Sequence, residues 1–300
     1  YRAMAHTLYR HFTTQAELDA EYDVERSVPD FMVYARHFID ESKLARHRLE
    51  CRLDVPYGPT RDEHLDLFPA GKGAPILVFF HGGYWRMLSS KEFSCVALGP
   101  VSAGVTVVNV NYSLCPKVSI DEITRQARAA VAWTFRKAAS FGGDPSRIYV
   151  SGHSAGGQLT AMCMNTDWEA DYGLPADVVK GGFPVSGVFD LRPIRYTAMQ
   201  PAIQLDDGVI LRNSPQLLAP RRTPAPMLFS VGGAEPAEFQ RQTRDYQQHW
   251  ENAGNRAMVL EQPGRNHFDA IYGFEDARSP LCEALFRLMG VDGAGRRPRF

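Results

Sequence analysis

Ile148-Tyr149-Val150-Ser151-Gly152-His153-Ser154-Ala155-Gly156-Gly157 is the stretch on which the reading of this chain turns. It opens with β-branched and aromatic residues that suit a buried strand. It closes on a glycine-rich turn, and the residues that follow, 158–165, are compatible with a helix. Strand, sharp turn and helix, with a serine at the bend, is the context that presents a nucleophilic Ser154. Side chains at the flanking glycine positions would collide with the strained turn. The helix that begins beside the serine points its N-terminus at the reacting centre and favours negative charge developing there. A glycine-rich turn carrying an ordinary serine is the competing reading of the motif alone, and the flanking strand and helix count against it.

Working outward, the apolar run 76–80 leads directly into His81-Gly82-Gly83-Tyr84-Trp85. A loop at this place can donate backbone N–H groups to an oxyanion. Gly82, Gly83 and Tyr84 are the upstream candidates, and Ala155, the residue after the serine, supplies a further N–H. A serine nucleophile also needs a base, and the base needs an orienting carboxylate. In an α/β sheet of this kind the chain order is Ser, then acid, then His. The run 257–261 leads into Pro263-Gly264-Arg265-Asn266-His267-Phe268, which places His267 on a loop beyond the carboxyl end of a strand. The other histidines precede the sheet core, belong to the two loops already named, or fall in a helical stretch. For the acid, the run 227–231 is followed by Gly232-Gly233-Ala234-Glu235-Pro236-Ala237-Glu238. Glu235 holds the expected loop position. Glu238, one helical turn later, and Asp190, Asp206 and Asp207 upstream stay open as rivals.

The same periodicities give the organisation. Segments 49–55 and 64–68 alternate apolar and polar residues, an antiparallel start. Segments 76–80, 105–110, 148–151, 182–185, 227–231 and 257–261 are continuous apolar runs, as expected of a parallel sheet covered on both faces. Helical patterns fill the gaps. One begins at Ser119 with Glu122 three residues on, a predicted capping box, and another spans about 236–253 with Gly254 just past its end. The prediction is one α/β domain over 1–300, with a mostly parallel eight-stranded sheet and helices on both faces. Two segments lie outside the rhythm. Residues 1–45 read as a partly helical N-terminal extension, and residues 188–222, with four prolines, read as a cap- or lid-like insertion.

Composition sets the outer bounds. The chain has 300 residues, 33 basic and 34 acidic, with a formal net charge of -1, so no electrostatic footprint for nucleic acid appears. The basic pairs Arg221-Arg222 and Arg296-Arg297 (with Arg299) are too short to change that. No apolar run approaches the ~20 residues of a membrane helix, and residues 1–10 are too polar for a signal peptide. The five cysteines are scattered, with no metal-ligand spacing. They read as free thiols in a reducing, cytoplasmic setting.

The loop His81-Gly82-Gly83-Tyr84-Trp85 resembles the HGGxW loop of the arylformamidases (kynurenine formamidases). Gly152-His153-Ser154-Ala155-Gly156-Gly157 is similar to their elbow. Glu235-Pro236-Ala237-Glu238-Phe239-Gln240-Arg241-Gln242 resembles their D-S-P-E-F-x-R-Q segment, and Asn266-His267-Phe268 their histidine loop. The likeness runs from about residue 48 to 270 and touches residues 18–22 as well. It implies an α/β-hydrolase fold, a Ser154, Glu235, His267 triad, and hydrolysis of an N-formyl arylamine or a small ester. Glu235 departs from the aspartate of the animal enzymes. Tyr84, Trp85, His153 and Phe268 are candidate substrate-binding residues, three of them aromatic walls. The expected partner is a small-molecule substrate, with no cofactor, metal, nucleic acid or membrane; a homodimer stays open. Two other readings stand beside this one: an amidase or carbamate hydrolase acting on a xenobiotic, and a non-catalytic small-molecule binder on the same fold.

Overall fold

The computed structural model describes residues 7–291. His6 and the basic residues Arg296, Arg297 and Arg299 lie outside them. Eight strands form one sheet: β1 (Arg52–Pro56), β2 (His64–Phe68), β3 (Ala74–Phe80), β4 (Thr106–Val110), β5 (Gly143–His153), β6 (Val179–Val185), β7 (Met227–Gly232) and β8 (Ala257–Gln262). Their spatial order is β1-β2-β4-β3-β5-β6-β7-β8. β2 runs antiparallel to both β1 and β4, and the remaining pairs are parallel. All seven residues of β3 are buried. Successive strand residues face opposite sides, so the sheet is covered on both faces at its centre.

The helices of the described residues are α1 (Gln15–Tyr22), α2 (Phe31–Arg48), α3 (Leu98–Ser102), α4 (Ile120–Lys137), α5 (Ala155–Met164), α6 (Trp168–Tyr172), α7 (Gln200–Ile203), α8 (Asp207–Asn213), α9 (Ala237–Asn252) and α10 (Pro280–Met289). α4 buries Ile123, Ala127, Ala130, Val131 and Thr134 along one face, as its period predicts. The capping box predicted at its start does not form: Ser119 makes no side-chain cap bond. Glu122 is drawn instead to the Arg125 guanidinium (2.7 and 2.8 Å) and to Gln126 (2.9 Å), a charge-assisted alternative that outcompetes a neutral backbone N–H.

Two strands behave differently from their sequence pattern. β2 alternates in sequence, yet four of its five residues are buried. Asp66 is fully enclosed there, and Lys91 Nζ meets its carboxylate at 2.6 and 2.7 Å while also reaching Asp54 at 2.8 Å. β8 reads as a buried run but is the sheet's edge and leaves Val259 exposed. Position in the sheet, not composition, decided both. The five cysteines are free, four of them buried. No helix of the described residues is long and apolar enough to cross a membrane.

The strand order sets up the site. From β3 the chain steps outward to β4, then returns past β3 to β5, so the loops after β3 and β5 leave the sheet in opposite winding directions. The crevice at the carboxyl ends of such a pair is where α/β sheets receive ligands.

Candidate active site

The register pairs Phe80 of β3 with Gly152 of β5. The loops that follow, His81 onward and His153 onward, therefore emerge side by side. A Cβ built on Gly82 would lie 3.2 Å from the Ser154 Cβ. Ser154 sits between β5 and α5 at φ 57°, ψ -116°, a region non-glycine residues rarely occupy and one associated with functional strain. Its N–H donates to the Val185 carbonyl at 3.0 Å, which pins the bend to β6. The bend needs its glycines: a Cβ on Gly156 would stand 1.9 Å from the Phe80 carbonyl oxygen, and one on Gly152 2.2 Å from that of Gly156.

The loop after β3 is a tight turn whose peptides are held individually. His81 is fully buried and stacked on Tyr112 (centroids 4.1 Å apart). Its Nδ1 bonds the Gly82 carbonyl at 2.6 Å. Burial lowers the His81 pKa to about 4, so the ring is neutral. The Gly83 carbonyl accepts from the N–H groups of Arg86 (3.0 Å) and Met87 (3.1 Å). In a trans peptide the N–H points opposite to the C=O. Both carbonyls being engaged elsewhere fixes the directions of the Gly83 and Tyr84 N–H groups. Gly83, at φ 114°, is a position only glycine takes without strain. The Tyr84 hydroxyl donates to the Tyr22 carbonyl at the end of α1 (2.6 Å).

β7 and β8 bring the other two groups together. The register pairs Gly232 with Gln262, and the Ala234 N–H donates to the Arg265 carbonyl at 2.9 Å. Glu235 Oε2 stands 2.7 Å from His267 Nδ1, both side chains being buried. The second carboxylate oxygen accepts from the Gly232 N–H (2.7 Å) and from the Ser186 hydroxyl (2.5 Å). Three donors thus surround a buried carboxylate, which offsets the cost of enclosing it. The rival acids are engaged elsewhere. Glu238 binds Arg241 (2.7 Å) and the Tyr22 hydroxyl (2.8 Å). Asp190 binds Arg192 (2.6 Å) and the Tyr9 hydroxyl (2.9 Å). Asp206 caps α8, and Asp207 pairs with Arg195. His153 faces the same centre. Its Nε2 donates to the His267 carbonyl at 2.7 Å, and desolvation holds its pKa well below the usual histidine value. It is a neutral clamp on the His267 backbone.

Ser154, His267, His153, Gly82, Gly83, Tyr84 and Phe268 line one cavity of about 310 Å³, near the lower end of the range for small-molecule sites. Apolar and aromatic side chains make up much of its wall, Phe31, Phe38 and Phe93 joining Phe268, and the charged residues Asp19, Asp23, Glu25, Arg86 and Glu92 also line it. Trp85, expected as a further wall, does not line it. The side chain is fully buried beneath the turn, and its indole N–H donates to Gln158 Oε1 at 3.0 Å. The cover comes chiefly from the N-terminal extension, which supplies Tyr22, Val24, Phe31, Ala35, Phe38 and Ile39; residues 188–222 contribute Ala198, Met199 and Ala202.

Sequence reasoning missed two groups here. Ser186, at the end of β6, has no motif around it, and only the sheet register aims its hydroxyl at Glu235. α1 had a readable signal, the Thr14/Glu17 capping box that forms in the structure, but nothing local says that the helix reaches the turn after β3.

Comparisons with known proteins agree with this architecture. A family described as having the alpha/beta hydrolase fold matches residues 77–270. The kynurenine formamidase of Salmo salar is 33% identical over 254 residues, covering 82% of this chain and 84% of that protein. That of Danio rerio is 32% identical over 253 residues, with the same shares of each chain. Among solved structures, an assigned thioesterase from Silicibacter sp. tm1040 superposes with a TM-score of 0.78 at 31% identity, over 89% of this chain and 98% of that one. The chain belongs to the α/β-hydrolase family, among its arylformamidase-like members, and is a hydrolase of the ester- and formamide-cleaving type.

Proposed function

We propose that the protein hydrolyses the formyl amide of an N-formyl arylamine, or a small aryl ester, through an acyl-enzyme on Ser154. The observation that carries this reading is the 2.7 Å contact between Glu235 and His267 Nδ1 at the wall of the cavity that also holds Ser154. A carboxylate at Nδ1 keeps the proton there and leaves Nε2 as the base.

Ser154 Oγ attacks the carbonyl carbon while His267 Nε2 takes the hydroxyl proton. The carbonyl oxygen becomes an oxyanion against the N–H groups of Gly83, Tyr84 and Ala155, at the N-terminus of α5. As the tetrahedral species collapses, the C–N or C–O bond breaks and His267 returns the proton to the leaving nitrogen or oxygen. Water then attacks the acyl-enzyme by the same route, and the acid and free Ser154 are released. The aromatic walls Phe31, Phe38, Phe93 and Phe268 suit an aryl leaving group. The formyl group is argued from the names carried by the curated relatives, together with the small cavity. A panel setting N-formylkynurenine and formanilide against short aryl and alkyl esters tests the reading. We expect turnover of the formamides that is lost in Ser154→Ala. Ester turnover far above formamide turnover would make the protein an esterase first, and activity surviving in Ser154→Ala would overturn the acyl-enzyme.

A further inference from the structure

The loop that carries His267 leaves β8, the strand at the sheet's edge, and Pro263, Gly264 and Arg265 on the way to it are exposed. The His267 imidazole is held by Glu235 and its carbonyl by His153. The residues on either side of it in the chain are held from another quarter, the first turn of α2.

Asn266 is the link. Its side-chain oxygen accepts from the N–H groups of Phe268 (2.9 Å) and Asp269 (3.1 Å), which closes a tight turn around His267. That leaves the amide nitrogen as the free donor of the side chain, and it donates to the Tyr34 hydroxyl at 2.8 Å. The Tyr34 ring also packs on Phe268, with centroids 5.3 Å apart, and Phe31 packs on the same ring at 5.1 Å. One turn of α2 thus grips both chain neighbours of His267. One turn further on, His37 stacks on Tyr272 (3.9 Å), and its Nε2 meets the Glu275 carboxylate at 2.8 Å. α2 is therefore tied along the whole segment that follows His267. A base that passes a proton from a serine to a leaving group has to keep its place to within about half an ångström. Ser154 is fixed by its backbone bend and Glu235 by three donors. A loop leaving an exposed edge strand needs its restraint from elsewhere in the fold.

We propose that Tyr34 is a positioning residue for His267, acting through Asn266, so that α2 sets the turnover rate as well as walling the cavity. This rests on the reading of Ser154 as nucleophile and His267 as its base.

The test uses p-nitrophenyl acetate and a fluorophosphonate that labels Ser154, with the full chain. Tyr34→Phe removes one hydroxyl and keeps the ring on Phe268. We expect kcat to fall roughly three- to tenfold with KM little changed, and labelling of Ser154 to slow by a similar factor. Asn266→Ala should lose more, because it also opens the turn around His267. The double variant should be no slower than Asn266→Ala alone, since Tyr34 acts through that side chain. Asn266→Ser, which keeps a side-chain oxygen for the turn but is too short to reach Tyr34, takes its place if Asn266→Ala does not fold. Unchanged kcat and labelling in Tyr34→Phe, whatever its melting temperature, overturn the proposal. So does a loss confined to KM, or losses that multiply in the double variant. Failure of the Ser154 reading looks different: the unaltered chain is then not labelled at Ser154, and the proposal falls with it.

Discussion

At the scale of single residues, the proposed reaction separates groups that react from groups that hold them. We expect Ser154→Ala and His267→Ala each to lower kcat by about 10⁴-fold or more on an aryl ester, with the fold retained by circular dichroism. Glu235→Gln keeps the shape but removes the charge that holds the imidazole tautomer. A loss approaching 10⁴-fold is expected there too, by analogy with the aspartate-to-asparagine change in serine proteases. Glu238→Gln weakens contacts to Arg241 and Tyr22, so it belongs in a melting curve more than in a rate. A dead Glu238→Gln beside an active Glu235→Gln would reverse the assignment of the acid. Ser186→Ala removes one of three donors on the Glu235 carboxylate. A donor to a charged group contributes about 1.5–3 kcal/mol, and a kcat reduction of roughly tenfold or more, restored in part by Ser186→Thr, would mark Ser186 as a positioning residue. The triad candidates were legible because each follows a strand in the expected order. Ser186 was not, since a serine after a strand is commonplace and its target is 49 residues away in the chain.

Among elements, the strand–turn–helix around Ser154 and the turn after β3 depend on backbone approach closer than any side chain permits. Gly156→Ala would set a methyl 1.9 Å from the Phe80 carbonyl oxygen. That contact is backbone on both sides and cannot relax cheaply, so we expect a loss above about 3 kcal/mol and little folded protein on expression. Normal yield and melting temperature for Gly156→Ala would show that the bend tolerates displacement of β3. Tyr84→Phe deletes the bond that ties the turn to α1. About 1 kcal/mol of stability should go with it, and a larger effect on kcat than on melting would show that α1 steadies the oxyanion donors. The roof role of α1 and α2 was hidden in the sequence for a physical reason. Residues 1–45 read locally as partly helical, but nothing local says that these helices lie over a cavity formed by loops far downstream, from Gly82 to His267.

For the whole molecule, the consequence is acid sensitivity. His81 is buried neutral, its pKa lowered to about 4 against an ordinary 6.5. The unfolded chain therefore binds the extra proton first as pH falls. Stability is full above pH 6.5 and declines as pH drops towards 4, by about 3 kcal/mol from this group alone. His153 is shifted in the same direction by the same cause. Chemical denaturation midpoints measured between pH 7.5 and 4 should fall steadily, and His81→Gln should flatten the slope. A midpoint independent of pH over that range would mean that these rings are not buried neutral in solution.

What the sequence determined by itself was everything written in local pattern: eight strands, the serine bend, and the glycine turn after β3. Patterns of this kind are read within ten or so residues because strand period, glycine sterics and helix polarity act over that distance. What only the tertiary structure decided was every pairing across the chain. It brought the Glu235 carboxylate to His267, through the β7–β8 register, while Glu238 on the next helical turn meets Tyr22 and Arg241. It put Trp85 under the turn and not in the cavity, and aimed Ser186 at Glu235. Such contacts depend on which elements become neighbours, and packing of the whole sheet settles that after each local preference has been satisfied.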